Sequence, residues 1–125
     1  TFTVEFFIDK SNNLYVNEIA PRPHNSGHYS IEACDYSQFD THILAVTGQN
    51  LPKEIEILKP AVMMNLLGRD LDLLEDKFAN HPEWHVHIYG KPERKPNRKM
   101  GHMTILTNNV DETEKAMLKQ FEGRE

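Results

Sequence analysis

The sequence predicts an α+β chain: an antiparallel hairpin with helices at the front, followed by a small C-terminal α+β domain. Three observations carry this. Residues 1–9 and 14–20 both read as strands around a turn cluster. Residues 37–48 hold a helix start, an apolar stripe and a glycine stop. Residues 61–121 then alternate strand and helix patterns, without internal repeats or low-complexity stretches. We divide the chain after residue 50, into 1–50 and 51–125.

Phe2, Val4, Phe6 and Ile8 face one way along the first strand, and Thr3, Glu5, Phe7 and Asp9 the other. Lys10-Ser11-Asn12-Asn13 is the turn, with asparagines that tolerate left-handed backbone. Ser26-Gly27 opens a short helix through about Cys34. Ser37 is the candidate N-cap of the next helix, with Phe39, Ile43, Leu44 and Val46 packing inward and Gly48 ending it. Residues 49–60 form a loop with Pro52 and Pro60. Residues 61–67 read as a buried strand, and 70–80 as a helix with Leu71, Leu74 and Phe78 on its apolar face. Residues 84–89 and 100–106 alternate as strands, with Trp84, Val86 and Ile88 as a core stripe. Residues 111–121 close the pattern as an amphipathic helix.

If Asp9 faces Leu14 across the turn, Glu5 falls opposite Glu18. Cross-strand neighbours on one face stand roughly 5 Å apart, and like charges there repel. A cation between them converts repulsion into coordination, and magnesium takes one or two carboxylates plus phosphate oxygens and waters. An exposed hairpin with two solvated acids is the plainer alternative. Directly after Glu18 the chain reads Ile19-Ala20-Pro21-Arg22-Pro23-His24-Asn25-Ser26-Gly27-His28. Prolines on both sides stiffen Arg22 and remove two backbone donors. Its planar, permanently charged fork suits phosphate or carboxylate, or a surface acid. His24, Asn25, Ser26 and His28 add polar contacts, and Asn25 or Ser26 also suits a helix cap.

The chain carries 14 basic and 19 acidic residues, a net charge of −5 that argues against nonspecific nucleic-acid binding. No apolar run approaches the roughly 20 residues of a membrane span, and no signal segment opens the sequence. One cysteine, Cys34, excludes an internal disulfide and points to a reducing cytoplasm. Cys34 itself reads as a small buried thiol. Lys91, Arg94, Lys95, Arg98 and Lys99 form a basic run relieved by Glu93. Such runs are usually solvated loops. His85 and His87 share a strand face, with His102 on a later strand. That arrangement resembles a three-histidine zinc site, but a polar sheet face explains it more simply.

Val4-Glu5-Phe6-Phe7, the block from Asn17 to His28, Tyr89-Gly90-Lys91 and Arg98-Lys99-Met100-Gly101-His102 together resemble the C-terminal part of the 5-(carboxyamino)imidazole ribonucleotide synthase family. This is the ATPase subunit of phosphoribosylaminoimidazole carboxylase, an ATP-grasp ligase of purine biosynthesis. The likeness covers essentially the whole chain. It implies that residues 1–50 complete an ATP-grasp fold and 51–125 form its C-terminal domain. It implies ATP and Mg2+ as cofactors, with 5-aminoimidazole ribonucleotide and bicarbonate as substrates. Glu5 and Glu18 would then hold the metal, Asn17 and Glu18 would contact ATP, and Arg22 would act catalytically at the transferred phosphoryl group. His24, Asn25 and Ser26 would bind the acceptor, and Lys91, Arg98 and Lys99 its 5′-phosphate.

The resemblance also implies a homodimer for the full-length enzyme, with neither nucleic acid nor membrane as partner. These residues contain no glycine-rich phosphate loop and begin inside a strand pattern, so we expect a portion of a longer enzyme, inactive alone. Another ATP-grasp carboxylate–amine ligase would share Glu5, Glu18 and Asn17. A noncatalytic nucleotide- or RNA-binding module would use the 91–99 loop.

Overall fold

Asp9 ends the first strand by turning its carboxylate back onto the loop that follows. Its Oδ1 accepts the amides of Ser11 at 2.8 Å and Asn13 at 2.9 Å, while Asn12 sits in the left-handed region at φ 62°. These bonds, led by the Asn13 side chain, hold the Asp9 carboxyl below its ordinary pKa. The computed structural model describes residues 1–121, in two units that divide between Glu56 and Ile57.

In the first unit, β1 (Thr3–Ile8) pairs antiparallel with β2 (Leu14–Ala20). Leu14 faces Ile8, not Asp9, because Asp9 is drawn into its own turn. The expected register is nevertheless recovered further along. The ladder slips between Phe6, opposite Val16, and Glu5, opposite Glu18, leaving Asn17 as the extra residue of a β-bulge.

The single short helix expected from Ser26 to Cys34 is two pieces. A 3₁₀ turn at Asn25–Gly27 is capped by His24, and α1 (Ser30–Ala33) follows. Ser37 caps α2 (Gln38–Val46) through a full capping box with Asp40. Gly48 follows at φ 70°, a conformation that glycine adopts without steric cost. The inward stripe expected on α2 is corrected: Phe39, Ile43 and Val46 are exposed, and no residue of the helix is buried. A two-stranded sheet and one turn of helix offer too little apolar surface to cover it. Residues beyond α2 return to the turn after α1, where Glu56 N donates to Asp35 Oδ1 at 2.9 Å and Asp35 N to Glu56 O at 3.1 Å.

The second unit is a three-stranded antiparallel sheet, ordered β3 (Ala61–Leu67), β5 (Lys99–Leu106), β4 (His85–Ile88), with α3 (Leu71–Phe78) and α4 (Val110–Gln120). Period-two residues Met64 and Leu66 of β3 and Met103 and Ile105 of β5 join Leu74, Trp84, Met117 and Phe121 in one core. Two expected core members are corrected: Ile88 and Phe78 are exposed. Each lies at the end of its element, beyond the apolar overlap of helix and sheet. The predicted strand over 84–89 is the shorter His85–Ile88, with Trp84 folded into the core ahead of it. The helix expected from residue 70 begins at Leu71, because Gly68–Asp70 form a 3₁₀ turn in which Asp70 Oδ2 accepts Leu67 N at 2.8 Å. Asn109 caps α4, and Lys77 donates to Gln120 O at 2.6 Å at its far end.

A candidate metal and phosphate site on the hairpin

The bulge decides which side chains meet. It leaves Glu5 and Glu18 as cross-strand partners and lets Asn17 Nδ2 donate to Glu5 Oε2 at 3.2 Å. His24, arriving from the loop after β2, inserts its ring between the acids. Its Nε2 lies 3.1 Å from Glu18 Oε1, and its Nδ1 lies 3.5 Å from Glu5 Oε1 and 2.9 Å from Ser26 Oγ. Ser26 N also donates to Nδ1, at 3.3 Å. An Nδ1 that accepts leaves the ring proton on Nε2, directed at Glu18. One ligand atom from each of Glu5, Glu18 and His24 lies within 4.8 Å of the others. Two carboxylates held together suit a hard, oxygen-seeking cation such as magnesium, so the donor set fits the ion the sequence suggests.

His24 is buried, with 8% exposure, whereas Arg22 beside it is exposed. Arg22 Nη1 donates to Pro23 O at 3.0 Å, a bond within its own stiff loop that leaves most of the fork's donors in the open. Asn25 and Ser26 form the 3₁₀ turn under the His24 ring. His28, half-buried, stacks on Phe39 with ring centroids 5.4 Å apart. Sequence reasoning missed Gln38, whose side chain binds both backbone groups of His24 at 2.8 Å. The signal was present as a polar residue directly after the N-cap serine, but nothing local distinguishes it from a solvated helix residue.

In the second unit the basic loop is not uniformly solvated. Arg94 is committed to structure: Nε donates to Gly68 O at 2.6 Å, and Nη1 and Nη2 reach the two Asp72 oxygens at 2.8 and 2.7 Å. That forked pair holds Asp72 below and Arg94 above its ordinary pKa. Gly68 N donates to Arg98 O at 2.9 Å and Arg69 N to Pro96 O at 3.1 Å, docking the loop backbone. Lys91 Nζ donates to Lys99 O at 2.7 Å and lies over the Tyr89 ring, 5.4 Å from its centroid. Arg98 Nη1 reaches Glu93 O at 3.2 Å. Lys95 pairs with Glu93 at 3.1 Å.

The three histidines do not assemble as one site. His87 faces His102 across the ladder, with stacked rings 4.6 Å apart, but His85 faces Thr104. His85 belongs to no candidate metal group among the described residues. Tyr89 OH lies 2.8 Å from His102 Nδ1, and burial pushes the tyrosine pKa up. Cys34 is half-buried rather than buried; desolvation, followed by the nearby Asp35 charge, raises its pKa. Both effects disfavour the reactive thiolate.

Two protein families match separate stretches of the chain. The ATP-grasp domain family matches residues 1–39, and the phosphoribosylaminoimidazole carboxylase C-terminal domain family matches residues 61–116. N5-carboxyaminoimidazole ribonucleotide synthase of Staphylococcus epidermidis is 80% identical over 125 residues, covering 100% of this chain and 33% of that protein. The crystal structure of the Staphylococcus aureus N5-carboxyaminoimidazole synthetase complexed with ADP superposes with a TM-score of 0.92 at 79% identity, over 97% of this chain and 32% of that one. The Aspergillus clavatus synthase in complex with ADP and 5-aminoimidazole ribonucleotide does so with a TM-score of 0.84 at 36% identity, over 98% and 34%. The chain thus spans about a third of the length of the curated relatives it matches.

A hairpin with opposed glutamates inside an ATP-grasp match defines an ATP-grasp protein. The second unit, with its own domain match, narrows the class. The chain belongs to the N5-carboxyaminoimidazole ribonucleotide synthase family.

Proposed function

We propose that this chain is part of an ATP-dependent carbon–nitrogen ligase that carboxylates 5-aminoimidazole ribonucleotide with bicarbonate, in the purine pathway of a reducing cytoplasm. The observation that carries the reading is the meeting of Glu5, Glu18 and His24 beside exposed Arg22, on residues that match an ATP-grasp domain. Relatives solved with ADP, and with ADP and 5-aminoimidazole ribonucleotide, support the choice of ligands. Residues 1–50 would complete the ATP-grasp domain and 51–125 form the C-terminal domain. The full-length enzyme would be a homodimer.

Glu5 and Glu18 would hold magnesium, which supplies charge neutralisation to the nucleotide phosphates when bound. Asn17 orients Glu5 and, with Glu18, would contact ATP. A bicarbonate oxygen attacks the γ-phosphorus, the β–γ bridging P–O bond breaks, and ADP leaves with the electron pair. Arg22 would stabilise the charge on the transferred group. The carboxyphosphate formed collapses to carbon dioxide and phosphate. The exocyclic amine of the acceptor then attacks the carbon and releases a proton. His24, Asn25 and Ser26 would orient the aminoimidazole ribonucleotide, and Lys91, Arg98 and Lys99 would grip its 5′-phosphate.

The test is ATP turnover by the full-length protein carrying this chain. We expect ADP release that requires both bicarbonate and 5-aminoimidazole ribonucleotide. Turnover with a different amine acceptor would assign another ligase. Salt-sensitive RNA affinity without turnover would assign a binding module.

A further inference from the structure

We infer that Gln38 is a positioning residue that holds His24 between the two glutamates; this rests on the site reading proposed above. The loop after β2 has lost its ladder partners, and Pro21 and Pro23 supply no backbone N–H. His24 is nevertheless nearly buried, so its own N–H and C=O require partners. Gln38 reaches both, sharing the carbonyl with Gly27 N, which donates to it at 2.9 Å. Its Oε1 accepts His24 N at 2.8 Å and its Nε2 donates to His24 O at 2.8 Å, so one side-chain amide stands in for a neighbouring strand. An amide presents an acceptor and donors together; glutamate lacks the donor, and methionine offers only a weak thioether acceptor.

The clamp is itself fixed. Gln38 is the first residue of α2, directly after the Ser37–Asp40 capping box. Its own N donates to Ser30 Oγ at 3.0 Å, and Ser30 Oγ donates to Gly27 O at 2.6 Å. Its Nε2 also lies 2.8 Å from His28 Nδ1. Gly27 leaves room for the amide, since a Cβ there would stand 2.7 Å from Gln38 Oε1. A helix cap therefore sets the backbone of His24, and that backbone sets where the ring meets Glu18 and Glu5.

The experiment uses steady-state kinetics of the full-length protein with Gln38→Met, Gln38→Glu, Gly27→Ala and His24→Ala, and with the Gln38→Met/His24→Ala double variant. Gln38→Met is expected to lower kcat about tenfold, a coupling that neighbours in one hydrogen-bond network reach, with the KM for ATP within about twofold of wild type. Gly27→Ala, which displaces the amide, follows the same pattern. In the His24→Ala background, Gln38→Met should change kcat less than about twofold, because its route of action is gone. A purely structural glutamine would instead give additive losses. If Gln38→Met does not fold, Gln38→Glu, which keeps the acceptor for His24 N, carries the comparison. Impaired His24→Ala combined with a silent or additive Gln38 variant overturns this inference alone. His24→Ala at the wild-type rate overturns the site reading and the inference with it.

Discussion

Glu5 faces Glu18 because Asn17 is squeezed out of the β1–β2 ladder. Without that bulge the register set by Ile8 and Leu14 would place Glu5 opposite Asn17, and Glu18 would point to the other face of the hairpin. The displaced Asn17 amide then bonds Glu5, so one irregularity both pairs the acids and orients one of them.

Glu18→Gln in the full-length protein should lower kcat at least about tenfold, the size of a lost charge-assisted contact. Glu5→Gln should act in the same direction but less severely. ADP release under saturating substrates measures both, alongside circular dichroism to show an intact fold. Near-normal rates in both variants would exclude the paired-carboxylate site.

Lys91→Ala and Arg98→Ala should each raise the KM for 5-aminoimidazole ribonucleotide roughly tenfold, because each removes a charge-assisted phosphate contact. The KM for ATP should stay unchanged. Arg94→Ala is expected to differ, lowering stability, because Arg94 ties the loop to Gly68 and Asp72. A fall in ATP affinity in the Lys91 or Arg98 variant would assign the loop to the wrong ligand.

Asp40 is held below its ordinary pKa by the Ser37 hydroxyl and then by the Ser37 amide. A depressed folded-state value means that the unfolded chain takes up the proton first. This stabilisation is therefore complete above the unfolded carboxylate range and is lost as pH falls through the folded value. Ser37→Ala should cost about 1 kcal/mol at neutral pH, and less in acid. Urea midpoints at about pH 7 and about pH 3, bracketing the carboxylate range, test the sign. An equal cost at both would show that Asp40 does not act through this cap.

Gly101 lies where β5 runs against β4. A Cβ there would stand 2.3 Å from His87 O, a backbone atom that cannot move aside without breaking the ladder. Gly101→Ala should therefore destabilise by about 1–3 kcal/mol, as overpacked substitutions do, and lower Tm. An unchanged Tm would mean that this strand pair is looser than its register suggests.

Sequence alone established what depends on near neighbours. The alternation of residues 1–9 and 14–20 sufficed for a hairpin, Ser37 for a helix N-cap, and Gly48 for a helix stop, because those preferences are local and steric. The block from Asn17 to His28 suggested a metal and phosphate site, because so many ligand-bearing side chains rarely crowd one short segment without chemistry to do. Tertiary structure decided the rest. The slip at Asn17 could not be read from alternation, since a bulge changes register without changing composition. Arg94 and Arg98 look alike in a basic run, yet only Arg94 finds Asp72, a partner distant in sequence. The exposed stripe on α2 shows the converse: helical periodicity marks a face able to be buried, but burial requires a covering surface. Gln38 was invisible for the same reason, because its function lies in two backbone atoms of His24 that only the folded chain brings to it.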